Sequence, residues 1–298
     1  LKIHMIYLLL SILCSTSLVV ILRLFSNYNI KTPHGIVFNY LVCCVTGLLF
    51  AENLPTATEY FIWNGWYACL LLGSLFYIVF NITGKATTIL GVATTSLLFK
   101  ISFVITVFVA LVFLGDAITW NKILGIIFAI GAVFLITYTR EKSINSTTSA
   151  EKKQYVLMCL FVFFGSGACD TGFNLIRLNL IPVALEHVAT VTIFFGAFVC
   201  SFLLNASDKS LFQWKNVVAG LVLGIPNYGS LYFWIQALKE LKIKFNWDSS
   251  TVFPINNIGV VCLSAVIGFL LFREKFSIQK LIGFLLAIVS IVFIGLIK

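Results

Sequence analysis

Charge is what this chain has least of. Only 10% of its 298 residues are Asp, Glu, Lys or Arg, and just eleven are acidic, whereas a soluble domain carries about a quarter charged residues. That is too little to cover a water-facing surface, and with 60% of the residues apolar the solvent for this chain is a bilayer. Histidine is also scarce. The three present, His34, His187 and His4, form no HExxH pattern and no ligand cluster, so no metal centre is expected. There is no Gly-Lys-Ser/Thr phosphate loop, which excludes an ATP-driven pump encoded in this chain. No cofactor is expected.

Other absences narrow the class further. The eight cysteines all lie within apolar stretches and lack metal-ligand spacing, so they read as small helix-packing residues rather than a disulfide framework. Twenty Lys and Arg give a formal charge of +9, but they are scattered through short loops with no basic stripe. Nucleic acid is therefore not an expected partner, and the charge concerns membrane orientation instead. The first apolar segment carries no cleavage pattern and simply begins the array, with Met5 as the expected natural start.

What the chain has in abundance is apolar runs of roughly 20 residues, enough to cross ~30 Å of hydrocarbon. Ten spans are expected, near 4–25, 35–51, 62–84, 90–114, 119–138, 155–179, 188–205, 215–236, 249–271 and 277–297. The longest polar stretch, 140–153 (REKSINSTTSAEKK), falls close to the midpoint and reads as a solvated linker.

The chain also repeats itself. Residues 112–130 read VFLGDAITWNKILGIIFAI and residues 270–288 read LLFREKFSIQKLIGFLLAI. An offset of 158 matches Thr119 to Ser277, Lys122 to Lys280, Gly125 to Gly283 and Ala129 to Ala287. An offset of 154 brings Thr16 and Arg23 onto Asp170 and Arg177. Two similar halves of five spans each must sit upside down relative to one another. The expected fold is thus all-α and integral to the membrane, ten transmembrane helices in two inverted five-helix repeats, residues 1–139 and 154–298. That arrangement characterises secondary transporters, because two half-states can exchange to open either side. With the N-terminus taken as inside, seven loop cations fall inside and twelve outside, so the positive-inside rule favours both termini outside.

Ionisable groups at membrane depth are costly, so each is a site hypothesis. Lys100 lies near the centre of the fourth span and Asp170 about two thirds along the sixth. Either they neutralise each other as a buried pair, or they line a cavity in which a cation attracts an anionic substrate while Asp170 binds an amine or carries a proton. Asp170, Asn174 and Arg177 share one helix face, and Thr16, Arg23 and Asn27 share the matching face of the first span. The eighth span contains Gly-Ile-Pro-Asn-Tyr-Gly at 224–229, an interruption that could expose backbone to a ligand or simply kink the helix. Asn227, Tyr228 and Trp234 of that span, Asn256 and Asn257 of the ninth, and Tyr77 and Asn81 of the third complete the candidate substrate-binding set. The aromatic residues near span ends read as an interfacial belt.

The doubled block resembles a motif of the drug/metabolite transporter superfamily, and within it the EamA-like transporter family, over nearly the whole chain. In that motif a helix ends in Leu-Gly-Glu before a new helix with an internal glycine. Here it stands as Leu114-Gly115-Asp116 with Gly125, and as Phe272-Arg273-Glu274 with Gly283. Asp116 shortens the glutamate and Arg273 replaces the glycine. The prolines family members carry midway along the fourth and ninth spans are absent, with Phe103 and Val261 roughly in their places. The resemblance implies a carrier that moves small polar metabolites such as amino acids, often outward, with cytoplasmic termini in many relatives. The function expected from residues and resemblance together is alternating-access transport of a small-molecule substrate across the cell membrane, with protons as a candidate coupling ion. A proton-coupled exporter of cationic drugs is the alternative, and a polytopic membrane enzyme or a receptor is the competing class. No catalytic set is expected, and the oligomeric state is left open.

Overall fold

The computed structural model of the chain describes residues 2–50, 56–113, 119–143, 149–182, 185–245, 249–274 and 277–295. Among these the protein is all-α. The helices are α1 Lys2–Asn27, α2 Thr32–Leu49, α3 Ala57–Ile62, α4 Trp66–Leu90, α5 Val92–Ile101, α6 Phe103–Phe113, α7 Trp120–Ser143, α8 Ser149–Leu180, α9 Glu186–Asn205, α10 Trp214–Phe245, α11 Ser249–Phe272 and α12 Ile278–Gly295. Eight spans within them are long and apolar enough to cross a membrane, with α5 and α6 counting together as one; α7 and α12 contain shorter apolar stretches. Large apolar side chains lie exposed around the outside, such as Leu71, Phe134, Phe164 and Leu271. A soluble monomer rarely presents apolar surface on that scale. The protein is a multi-pass integral membrane protein.

Helix boundaries follow local chemistry more than apolar runs. Thr56 and Glu59 form a reciprocal capping box, Thr56 N donating to Glu59 Oε2 at 2.8 Å and Glu59 N to Thr56 Oγ1 at 3.3 Å. That cap starts the short helix α3 inside the expected loop, so the third span begins at Trp66 rather than near residue 62. The same span runs on to Leu90, past the expected end at 84, and Gly91 alone separates α4 from α5 with φ at +90°. α7 and α8 together take in most of the stretch expected as a linker, and only 144–148 lie outside the described residues. The Glu, Lys and Ala residues on either side of 144–148 favour helix. The expected interruption at 224–229 is absent as a break: α10 is continuous, with Pro226 inside it.

Glycines set the closest helix contacts. A Cβ on Gly73 of α4 would run into Ile193 O and lie 2.7 Å from Ala197 N of α9, and one on Gly196 of α9 would run into Leu70 O of α4. On the other side of the bundle, Gly220 of α10 seats against Phe38 Cβ of α2, and a Cβ on Gly224 would lie 2.8 Å from Asn39 O. Small residues of this kind let membrane helices approach backbone to backbone. Two of the packed regions that result are extensive. One is built on α1, α2, α4, α9 and α10 around Leu22, Tyr40, Cys43 and Leu223; the other, on α5 to α8, α11 and α12, surrounds Leu97, Ile101, Val162 and Ile291.

Polar contacts tie the helix ends together. At one end, Lys31 Nζ reaches Asp208 Oδ2 at 2.7 Å and His34 Nε2 reaches the same oxygen at 3.2 Å, joining the α1–α2 turn to the α9–α10 turn. At the opposite end Arg177 pairs with Glu186 at 3.3 Å, His187 Nε2 meets Gly47 O at 2.8 Å, and Trp63 Nε1 donates to Leu180 O at 2.5 Å.

Candidate functional site

A cavity of about 200 Å³ lies midway along the bundle, at the junction of the two packed regions. Helices α1, α4, α5, α8 and α10 line it, with α2, α9 and α11 contributing one residue each. Its apolar walls combine aromatic side chains, Tyr40, Phe76, Phe80, Phe99 and Phe194, with aliphatic ones such as Leu18, Val79 and Val260. Two charged groups face this apolar interior, Lys100 from α5 and Asp170 from α8. None of the described ion pairs and hydrogen bonds joins them. The Lys100 ammonium instead stands 5.6 Å from the centroid of the Phe99 ring, a cation–π separation.

The local chain explains why Lys100 is free to face inward. The fourth span breaks at Ser102, between α5 and α6, although no proline stands there. Ser102 Oγ donates to Phe99 O at 2.6 Å, closing the last turn of α5 on itself. Lys100 therefore occupies the last turn of a ten-residue helix, where a cation complements the negative end of the helix dipole. Ser96, one turn earlier on the same face, lines the cavity with its hydroxyl buried and unbonded. A buried hydroxyl without a partner loses about 1–3 kcal/mol of desolvation that a bound solute would recover.

The twelve residues singled out from sequence are distributed as follows. Lys100, Asp170 and Asn227 line the cavity. Asn227 Nδ2 donates to Asn39 Oδ1 at 3.1 Å, which fixes α10 to α2 beside Pro226. Thr16 Oγ1, Asn81 Oδ1 and Asn256 Oδ1 are buried without partners but do not line it, and Asn257 is buried as well. Tyr77 accepts from Asn205 Nδ2 at 2.9 Å. Tyr228 stacks on Phe50 at 6.1 Å and on Tyr232 at 6.2 Å, forming an aromatic ladder from mid-bundle towards the end where α10 finishes. Trp234 packs in the cluster around Leu8 and Leu241, apart from the cavity. Asn174 lies outside the lining, and Arg177 is half-exposed in its pair with Glu186. The face shared by Asp170, Asn174 and Arg177 thus enters the cavity at Asp170 only.

Sequence reasoning did not single out Ser15, Tyr40, Ser96, Phe99 or Ser230, all of which line the cavity. Ser96 was reachable, because it precedes Lys100 by four residues and so shares its helical face. Glu274 carried a clearer signal as part of the repeated motif. Its carboxylate accepts from Val92 N at 2.5 Å and Ala93 N at 3.3 Å, at the start of α5. Its counterpart in the first copy, Asp116, lies outside the described residues.

No family model matches the chain. An uncharacterized protein of Haemophilus influenzae is similar to it, 27% identical over 297 residues, with 95% of each chain covered. That similarity makes this chain a distant relative of that protein. A protein of known crystal structure shares the fold, with a TM-score of 0.56 at 14% identity over 98% of this chain and 96% of its own.

Proposed function

We propose that this protein is a secondary transporter of small polar metabolites, amino-acid-like solutes above all, working by alternating access around the Lys100–Asp170 cavity. One observation carries the reading. Two opposite charges from different helices face one mid-bundle, largely apolar cavity without bonding to each other. Burying charge at this depth is expensive unless it is paired or used, and an unbonded pair offers a cation for a carboxylate and an anion for an amine. The volume of about 200 Å³ is smaller than the ~300 Å³ at which drug-sized pockets begin, which favours a metabolite over a multidrug substrate.

We further propose that the helices form ten spans in two inverted repeats of the EamA-like kind. Reciprocal packing supports this. α4 seats on α9 through Gly73 and Gly196, while α10 seats on α2 through Gly220 and Gly224. His34 at the start of α2 reaches past the end of α9 to Asp208, and His187 at the start of α9 reaches Gly47 O at the end of α2. These two histidines are 153 residues apart, close to the offset that relates the first and sixth spans. An inverted pair of halves can exchange conformations and so expose one cavity to each side in turn.

The test is a thermal-shift screen of the purified protein against amino acids, organic acids, sugar phosphates and hydrophobic cations, followed by flux of the hits into liposomes. Anionic or zwitterionic hits that a Lys100→Met variant loses are the expected result. Hits confined to hydrophobic cations and indifferent to Lys100 would replace this reading with a cation exporter centred on Asp170. Binding without flux would favour a receptor, and chemical conversion of the solute an enzyme.

A further inference from the structure

We propose that Glu274 is a positioning residue for the cavity: its carboxylate grips the N-terminus of α5 and thereby sets where Lys100 stands. The inference rests on the carrier reading above. α5 is a half-helix of ten residues, bounded by Gly91 and by the break at Ser102. Its first turn has no side-chain cap of its own, since the N-cap is glycine. The free amides are met instead by the two oxygens of Glu274, which arrives from the α11–α12 turn 182 residues away.

The seat is shaped around that carboxylate. A Cβ on Gly91 would lie 2.7 Å from Glu274 Oε1, and one on Gly268 would lie 2.8 Å from Oε2. The turn that delivers Glu274 is equally specific. Glu274 N donates to Gly268 O at 3.0 Å, six residues back, and Arg273 adopts φ +51°. Together these make the left-handed helix stop in which glycine is usual. The Leu-Gly-Glu motif thus has a physical meaning here. Its middle residue ends α11 in a left-handed turn, and its acid crosses to the start of α5.

An anion on the N-terminal amides and a cation in the last turn satisfy both ends of the α5 dipole. The half-helix is therefore held at one end by α11 and α12, while its other end presents Lys100 next to Asp170. Any displacement of the α11–α12 turn passes through Glu274 to Lys100, which couples the helix ends outside the cavity to the charge within it.

Cys169, which also lines the cavity, reports on this without any knowledge of the substrate. Its rates of modification by an anionic and a cationic methanethiosulfonate are read by mass spectrometry of its own peptide. Lys100→Met is expected to lower the anionic-to-cationic ratio about tenfold, the scale of one charge in a partly desolvated site. Glu274→Ala is expected to lower it at least threefold, and Glu274→Gln, which keeps one acceptor oxygen, by an intermediate factor. Hydrogen exchange in residues 92–95 should rise in the same order, and should rise in Glu274→Gln even if Glu274→Ala does not fold. If Lys100→Met shifts the ratio and neither Glu274 variant does, Glu274 is a structural cap only and the proposal fails while the carrier reading stands. A ratio indifferent to Lys100 overturns both. Unchanged exchange in α5 overturns the proposal alone.

Discussion

A double-substitution cycle on Lys100 and Asp170 separates a structural ion pair from a binding site. Removing either charge alone leaves the other in an apolar cavity uncompensated. Their separation exceeds direct bonding distance, so the attraction lies below the ~4 kcal/mol that two unit charges share at 4 Å and an effective dielectric of 20. Coupling of about 1–3 kcal/mol is expected, within the range measured for residues sharing one environment. Lys100→Met and Asp170→Asn should each lower the melting temperature in detergent, and the double variant should recover a shift of roughly 2–4 °C per kcal/mol of coupling. Transport should follow a different rule. The double variant regains stability but not flux, because neither ligand for a zwitterion remains. Additivity within about 0.5 kcal/mol would mean the charges do not share a cavity. Recovery of flux along with stability would refute the binding role, since the pair would then serve only to neutralise itself.

Three further outcomes follow from the packing and the helix ends. Gly73→Ala drives a methyl into the backbone of α9, at Ile193 O and Ala197 N, and should lower stability by about 1–3 kcal/mol. Gly131→Ala in α7 meets only Leu286 Cδ1 at 3.8 Å and should be neutral or stabilising by up to ~1 kcal/mol; equal melting shifts for the two would refute the close-approach argument. Arg273→Gly relieves a left-handed residue at φ +51° and should raise stability by about 1 kcal/mol, whereas a lowered melting temperature would show that the Arg273 side chain contributes more than its backbone strains. The Lys31 ammonium, and then the Ser210 amide and hydroxyl, hold the Asp208 carboxyl well below the usual carboxylate range. A depressed acid contributes stability above its unfolded value and loses it as pH falls through the folded one. Asp208→Asn should thus destabilise at neutral pH and converge with the parent protein in strong acid, once the carboxyl is protonated; a gap that persists undiminished in strong acid would refute the assignment.

The fold was readable where it depended on how much apolar surface each segment carries. Runs such as 4–25 and 188–205 could lie only in a bilayer, and α1 and α9 fall over them. Boundaries were not readable from hydropathy, because capping chemistry sets them. Thr56 with Glu59 nucleates α3 in a stretch otherwise read as loop. Gly91 ends α4 and starts α5 with a single left-handed residue, so no polar loop marks the junction. Pro226 suggested a broken helix, yet α10 continues through it, with Asn227 Nδ2 bonded to Asn39 and Cys43 Sγ donating to Gly224 O at 3.6 Å. Proline removes one donor, and neighbouring side chains can re-satisfy the backbone around it. The break that does occur, at Ser102, has no proline to announce it.

The site divides along the same line. Lys100 and Asp170 were legible because a charge in an apolar run is anomalous in any fold. Residues chosen for sharing a helix face with them were less informative, because a face seven residues long spans ~10 Å of helix and extends beyond a cavity of this size. Arg177 therefore reaches the surface and pairs with Glu186. Glu274 illustrates a signal that is present in sequence but has no address there. Its place in the repeated motif identifies it, while the start of α5, which it caps, lies 182 residues earlier in the chain. Helix N-termini in a membrane protein must find acceptors, and one left without a capping side chain must borrow one from another helix. For a half-helix that carries the cavity's cation, the residue that lends the acceptor also controls the cation's position.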